Sequence, residues 1–255
     1  MRNALTIILL SLLLQVSLQA QVTTFRRSWI VGMAAGPLFN QVQQTTPGYN
    51  YTGGNGYQLG AVAEYRLSPG LSLRGELNLE QRSFGTSYYS QGVREIDTSS
   101  YICWDCYYDM SLSYVSQYLS VPVYLQFTQS SGKLGVNFRV GAFYSLLMSA
   151  SRQGHEELYL DAEGTKNFSF EFIDFDGPGL YRDNYSGAVY DVINTYDAGF
   201  SFGLAGWYAL NKKTSLQLDF FVKVGLANVF ENPTMPEVTQ RSYSIRLGVQ
   251  RQLGE

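Results

Sequence analysis

From Thr214 to Asn228 the chain reads TSLQLDFFVKVGLAN. Leu216, Leu218, Phe220, Val222, Val224 and Leu226 alternate with Gln217, Asp219, Phe221, Lys223, Gly225 and Ala227, the period of a strand with one apolar and one polar face. A soluble sandwich can use such a strand. Here the pattern recurs about eight times behind an export signal, and the polar faces carry ions, which together point to a barrel with an oily exterior.

Strands are expected near Ser28 to Gln43, Gly56 to Leu67, Leu71 to Phe84, Ser111 to Thr128, Lys133 to Ala150, Thr195 to Leu210, Thr214 to Val229 and Gln240 to Leu253. The third sends Leu71, Leu73, Gly75, Leu77 and Leu79 to one side and Ser72, Arg74, Glu76, Asn78, Glu80 and Arg82 to the other. A basic residue facing lipid at mid-depth costs about 2–4 kcal/mol, so the charged face must look inward. Glu64, Arg66, Arg139, Asp219, Lys223 and Arg246 fall on the equivalent faces of other strands. Both signs then share one interior, and a salt-bridged, mostly closed lumen is expected.

The connections alternate in length. Ser68 to Gly70, Gln129 to Gly132 and Asn211 to Lys213 are short, whereas Gln44 to Asn55, Gly85 to Met110, Ala150 to Asn194 and Phe230 to Thr239 are long. Short periplasmic turns with long external loops are the outer-membrane arrangement. Trp29, Tyr65, Phe127 and Tyr208 are then expected at the inner interface, and Tyr88, Tyr89, Tyr114 and Phe230 at the outer one.

Met1 to Ala20 has a basic start at Arg2, an apolar run from Leu5 to Leu14 and a small residue before Gln21, the pattern of a cleaved signal peptide. Residues 21–255 are expected to form a single domain, with no solenoid repeat and no linker. The 18 basic and 21 acidic residues give a net charge of -3 with no basic stripe, which argues against nucleic acid as a partner. Twenty Tyr and 15 Phe suit membrane girdles.

SQYLSVPVYLQF at Ser116 to Phe127, VNFRVGAFYSLLMSA at Val136 to Ala150 and YDAGFSFGLAGWYAL at Tyr196 to Leu210 resemble the PorT-like outer-membrane β-barrel family of Bacteroidetes. Tyr118, Leu119, Pro122, Leu146, Leu147, Asp197, Gly199 and Gly203 occupy that family's strand motifs. The resemblance covers the barrel and not the loops. The family commonly ends on an aromatic residue, whereas here the last strand ends at Leu253 before Gly254 and Glu255. Pro122 lacks a donor and suits irregular pairing, while Gly199, Gly203 and Gly206 suit close backbone approach and bending.

Four features outside the barrel pattern bear on chemistry. Cys103 and Cys106 form CWDC in the second long connection. A disulfide there closes a very short ring worth about 2 kcal/mol; free or metal-linked thiols and a redox pair are the alternatives, the last without the βαβ unit that usually accompanies it. His155, the only histidine, begins HEEL and lacks the second histidine of a zincin. A lipid-modifying enzyme would set it beside Ser149, Ser151, Glu156 or Glu157; a solvated loop histidine is the plain alternative.

The third long connection is acidic and aromatic and contains DFDG at Asp174 to Gly177, short of the ligands an EF-hand needs. A solvated loop and cation bridges to lipid phosphates are its two readings. PGYNYTGGNGY and TSYYSQG hold tyrosines that stack on sugars, touch a partner protein or pack on one another.

The sequence thus predicts an eight-stranded antiparallel up-and-down transmembrane β-barrel in a Gram-negative outer membrane. It is expected to be a monomer without cofactor, in contact with lipid and lipopolysaccharide and open to a protein or glycan partner at its loops. A non-enzymatic structural or interaction role is expected, with a narrow channel or small-solute transporter, or a lipid-modifying enzyme, as alternatives.

Overall fold

Trp29 is paired on both sides, with Leu253 near the end of the chain and with Tyr65, and that double pairing closes the sheet. The computed structural model describes residues 28–44, 49–95, 102–159, 182–189, 192–231 and 237–253. The strands are β1 (Trp29–Gln44), β2 (Tyr49–Gly53), β3 (Asn55–Ser68), β4 (Leu71–Glu95), β5 (Ile102–Ser131), β6 (Leu134–Tyr159), β7 (Arg182–Ala188), β8 (Tyr196–Ala209), β9 (Thr214–Gly225) and β10 (Val238–Leu253). Antiparallel pairs run β1–β3–β4–β5–β6–β8–β9–β10 and back to β1, an eight-strand ring. β2 continues the position of β3 against β4, and β7 continues that of β8 against β6.

Alternation along each strand sorts the residues by face. On β4, Leu73, Leu77 and Leu79 are exposed, while Ser72, Arg74, Glu76, Asn78, Glu80 and Arg82 are buried. On β9, Leu216, Leu218 and Phe220 are exposed opposite buried Gln217, Asp219, Phe221 and Lys223. Leu247, 71% exposed, sits on the same outer belt as Leu204 and Met33. On β4 the belt runs from Leu71 to Leu79, eight steps that at about 3.3 Å each and a tilt of about 40° span about 20 Å. That is close to the height of about 25 Å of the apolar band of an outer-membrane barrel.

The short connections Ser68 to Gly70, Gly132–Lys133 and Leu210 to Lys213 cluster with both described chain ends at one end of the barrel, the turn end. Gly132 has φ 61°, a left-handed conformation that its hairpin requires and that glycine adopts without a Cβ penalty. Pairing of β4 with β5 lapses between Gly75 and Asn78, opposite Pro122 and Val121, where proline has no donor to offer. Pairing of β1 with β10 lapses likewise at Gly36 and Pro37.

Strand extends into three of the expected long connections. β4 and β5 run through most of Gly85 to Met110, β6 extends to Tyr159, and β2 occupies part of Gln44 to Asn55. Above the belt the outward residues of β4 and β5 change to Ser83, Gly85, Ser87, Ser113 and Ser111, so the apolar alternation fades although the hydrogen-bonded ladder continues. The result is an antiparallel blade of β2, β4, β5, β6 and β7 rising on one side of the barrel.

Candidate functional site

The inward side chains of the belt region meet in two ionic layers. In the layer nearer the turn end, register sets Arg74 opposite Glu64 and Arg246 opposite Asp219. Arg74 Nε donates to Glu76 Oε1 at 2.7 Å, and Arg246 donates from Nη1 to Glu76 Oε2 at 2.7 Å and from Nη2 to Asp219 Oδ2 at 3.2 Å. Arg139 Nη1 donates to Asp219 Oδ1 at 3.0 Å, and its Nε to Gln126 Oε1 at 2.6 Å. Arg74 completes the set as an ion pair 3.7 Å from Asp219 and 3.9 Å from Glu64.

The second layer joins Glu80, Arg82, Asp197 and Lys223. Arg82 donates to Asp197 Oδ2 at 2.6 Å and to Glu80 Oε2 at 2.9 Å, and the Lys223 ammonium donates to Glu80 and, at 3.1 Å, to Ser120 Oγ. Across the two layers five cations face five carboxylates, so the buried charge sums to zero. Burying an unpaired ion costs several kcal/mol, and each ion here has at least one partner of opposite charge, which offsets that cost.

Aromatic rings fill the space between ions. Arg246 and Arg139 lie over the Phe221 ring at 4.3 and 5.2 Å, Arg82 over Tyr118 at 4.6 Å, and Lys223 over Phe143 at 5.2 Å. Glycines opposite the large side chains make room. A Cβ on Gly203 would stand 2.6 Å from the Phe221 ring, and one on Gly141 2.9 Å from the Tyr124 ring. Gly199 packs against the backbone of Val224, whereas Gly206 faces outward with nothing within 4 Å and serves no close approach.

Above the ions the lumen turns apolar. Phe84, Leu112, Tyr114 and Met110 from the blade pack with Val189, Ile193, Val229, Phe230 and Val238. Ile193 and Phe230 form a β-bridge, tied by Asn194 N–H to Val229 O at 2.8 Å, that lays the connections after β7 and β9 across this mouth. Phe84 and Tyr114 stack at 4.9 Å, and Phe230 meets both edge-on. Tyr114 and Phe230 therefore cap the lumen from within and are not outer girdle residues: Tyr114 sits on the inward parity of β5, and Phe230, in the connection after β9, is buried against it. Tyr88 is also on the inner face of the blade, in a row with Tyr49 and Tyr108, while Tyr89 faces outward. Burial pushes the Tyr51 phenol beside them up to about 12.

Asp197 belongs to the ionic core and is not among the lumen charges expected from sequence; its inward parity with Ser201 and Ala205 on β8 was the available signal. Arg66 stands apart from both layers, half-buried at the turn end, because it lies one pleat below Glu64 where the lumen opens. Cys103 and Cys106 lie on β5 opposite Arg94 and Gly92 across a register shift, not in a loop; their side chains lie outside the described residues. His155 is on β6, half-buried on the outward face of the blade near Ser111, Ser113 and Gln153. The acidic stretch with DFDG and residues 1–27 lie outside the described residues. Among the described residues no group of three or more His, Cys, Asp or Glu could hold a metal ion.

Several solved barrels are similar at low identity. The outer membrane protein OprG from Pseudomonas aeruginosa is 9% identical, over 90% of this chain and 98% of its own, with a TM-score of 0.45. A major outer membrane protein from Thermus thermophilus is 14% identical over 90% and 100%, with a TM-score of 0.41. The outer membrane protease OmpT from Escherichia coli is 8% identical over 90% and 99%, with a TM-score of 0.37. No curated protein matches the chain. The family model described as outer membrane protein beta-barrel domain matches residues 19–231, and the chain belongs to that family of Gram-negative outer-membrane barrels.

Proposed function

We propose that this barrel is a closed, non-enzymatic outer-membrane anchor that presents its blade outside the cell as a structural or interaction surface. The observation that carries the reading is the filled lumen: two neutral ionic layers in series, followed by the apolar cap around Phe230. An eight-stranded interior is just wide enough to be filled by side chains, and these side chains fill it with ions whose partners are other side chains. Water and solutes are left no continuous path through such a core.

On this reading the chain is exported with a cleaved signal peptide and acts as a monomer among lipid and lipopolysaccharide. Its strand motifs favour the PorT-like branch of barrels. The row of Tyr49, Tyr88 and Tyr108 is the part of the blade best suited to a protein or glycan partner. The cavity around His155 is lined by Ser111, Ser113 and Gln153 and not by Ser149 or Ser151, two of the partners an enzymatic role would set beside it; the side chains of Glu156 and Glu157 lie outside the described residues.

Reconstitution into planar bilayers tests the reading. Discrete conductance steps are expected to be absent, and sustained single-channel events in the purified protein would overturn it in favour of a narrow channel. For the enzymatic alternative, lipid A from cells expressing His155→Ala is expected to match that from cells expressing the unaltered chain; loss of a modification would establish catalysis.

A further inference from the structure

At the turn end the lumen opens into a polar vestibule of about 210 Å³. Arg66, Lys212 and Lys213 stand at its mouth, and Glu64, Gln126 and Asn137 form its buried wall. Among the described residues Glu64 is the only carboxylate at this end, and its charge is already engaged by Ser72 Oγ at 2.9 Å and Arg74 at 3.9 Å. The three cations of the mouth are therefore uncompensated, whereas Lys133 and Arg251 are exposed outside its lining.

The wall supplies the second observation. Asn137 is 4% exposed and its Oδ1 has no hydrogen-bond partner. A buried acceptor without a donor is costly, about 1–3 kcal/mol. It calls for a ligand that brings an O–H to the same place where three cations call for negative charge. A phosphate group satisfies both demands: its anionic oxygens suit Arg66 and the two lysines, and a P–O–H or an adjoining hydroxyl suits Asn137.

We infer that the periplasmic vestibule between Arg66, Lys212, Lys213 and Asn137 binds a phosphate group that carries or adjoins a hydroxyl. Free phosphate and the headgroup of phosphatidylglycerol share this chemistry. Binding there does not depend on whether the lumen conducts, since the vestibule lies below both ionic layers.

Trp207 lines the vestibule and reports on it. The full mature chain in phosphatidylcholine nanodiscs is titrated with inorganic phosphate, and tryptophan fluorescence is compared with that in nanodiscs containing phosphatidylglycerol. A saturable response to inorganic phosphate, lost in Trp207→Phe, identifies a soluble phosphate. A response confined to phosphatidylglycerol discs identifies the headgroup; either supports the site. Arg66→Gln/Lys212→Gln/Lys213→Gln is expected to weaken binding about tenfold or more, and Lys133→Gln/Arg251→Gln to leave it within about twofold. Arg66→Gln alone provides the same comparison with a single change, and heat-modifiable gel mobility verifies that each variant is folded. The inference is overturned if neither disc type responds, if chloride at matched ionic strength gives the same response, or if the triple variant binds as tightly as the unaltered chain.

Discussion

Arg246 shows what one residue does in this core. Its guanidinium holds both oxygens of Glu76, reaches Asp219 and lies over Phe221, so truncation strips partners from two buried carboxylates at once. Arg246→Ala is expected to cost about 3–5 kcal/mol, read as a lower urea midpoint for the folded band in heat-modifiable gels. Removing both members of a pair should be milder. Glu80→Leu with Lys223→Leu is expected to cost less than either single change, because Arg82 keeps Asp197 and no ion is left alone. Gly203→Val drives a side chain into Phe221, itself wedged against Arg139 and Arg246, and is expected to cost about 1–3 kcal/mol by the same measurement. Most members of this core could be read from the sequence, because a charge on a strand whose other face is Leu and Phe has only one place to go. Asp197 was harder to read: its inward neighbours Gly199, Ser201, Gly203 and Ala205 are small, so the polar face of β8 carries little ionic signal.

At the scale of elements, the eight barrel strands were legible wherever lipid forces one face to be apolar. Where β4, β5 and β6 leave the membrane that constraint ends, outward positions become Ser, Gly and Gln, and inward ones become Phe84, Tyr114 and Leu112. The pattern then looks like loop although the ladder continues through register shifts at Gly92/Arg94 and Gln117/Tyr118, and β2 and β7 are too short to signal themselves. The boundary can be measured on one strand. Leu77→Arg and Ser87→Arg change the same outward face of β4 at two heights. The first is expected to destabilise by about 2–4 kcal/mol and the second by less than about 0.5 kcal/mol, in refolding titrations into lipid vesicles. Equal costs would mean that the apolar belt does not end near Leu79.

For the whole molecule, the two ionic layers act as barriers in series. Removing one ion pair from the layer nearer the blade with Glu80→Ala/Lys223→Ala is expected to leave planar bilayers silent, because Arg82 and Asp197 stay in that layer and Arg74, Glu76, Arg139, Asp219 and Arg246 still fill the other. Adding Arg74→Ala/Glu76→Ala is expected to give conductance steps only if Phe230→Ala also removes the cap, and steps without that last change would show the cap to be leaky. The pairing of β1 with β10 bears on manufacture as much as on shape. Fourteen residue pairs join the first strand to the last, from Trp29 with Leu253 to Gln44 with Val238. A polypeptide stalled before Val238 would leave the inner edge of β1 bare in hydrocarbon, where each unmet amide costs several kcal/mol. Synthesis must therefore finish before insertion can, and a truncated product should be destroyed by proteases instead of lingering half-inserted.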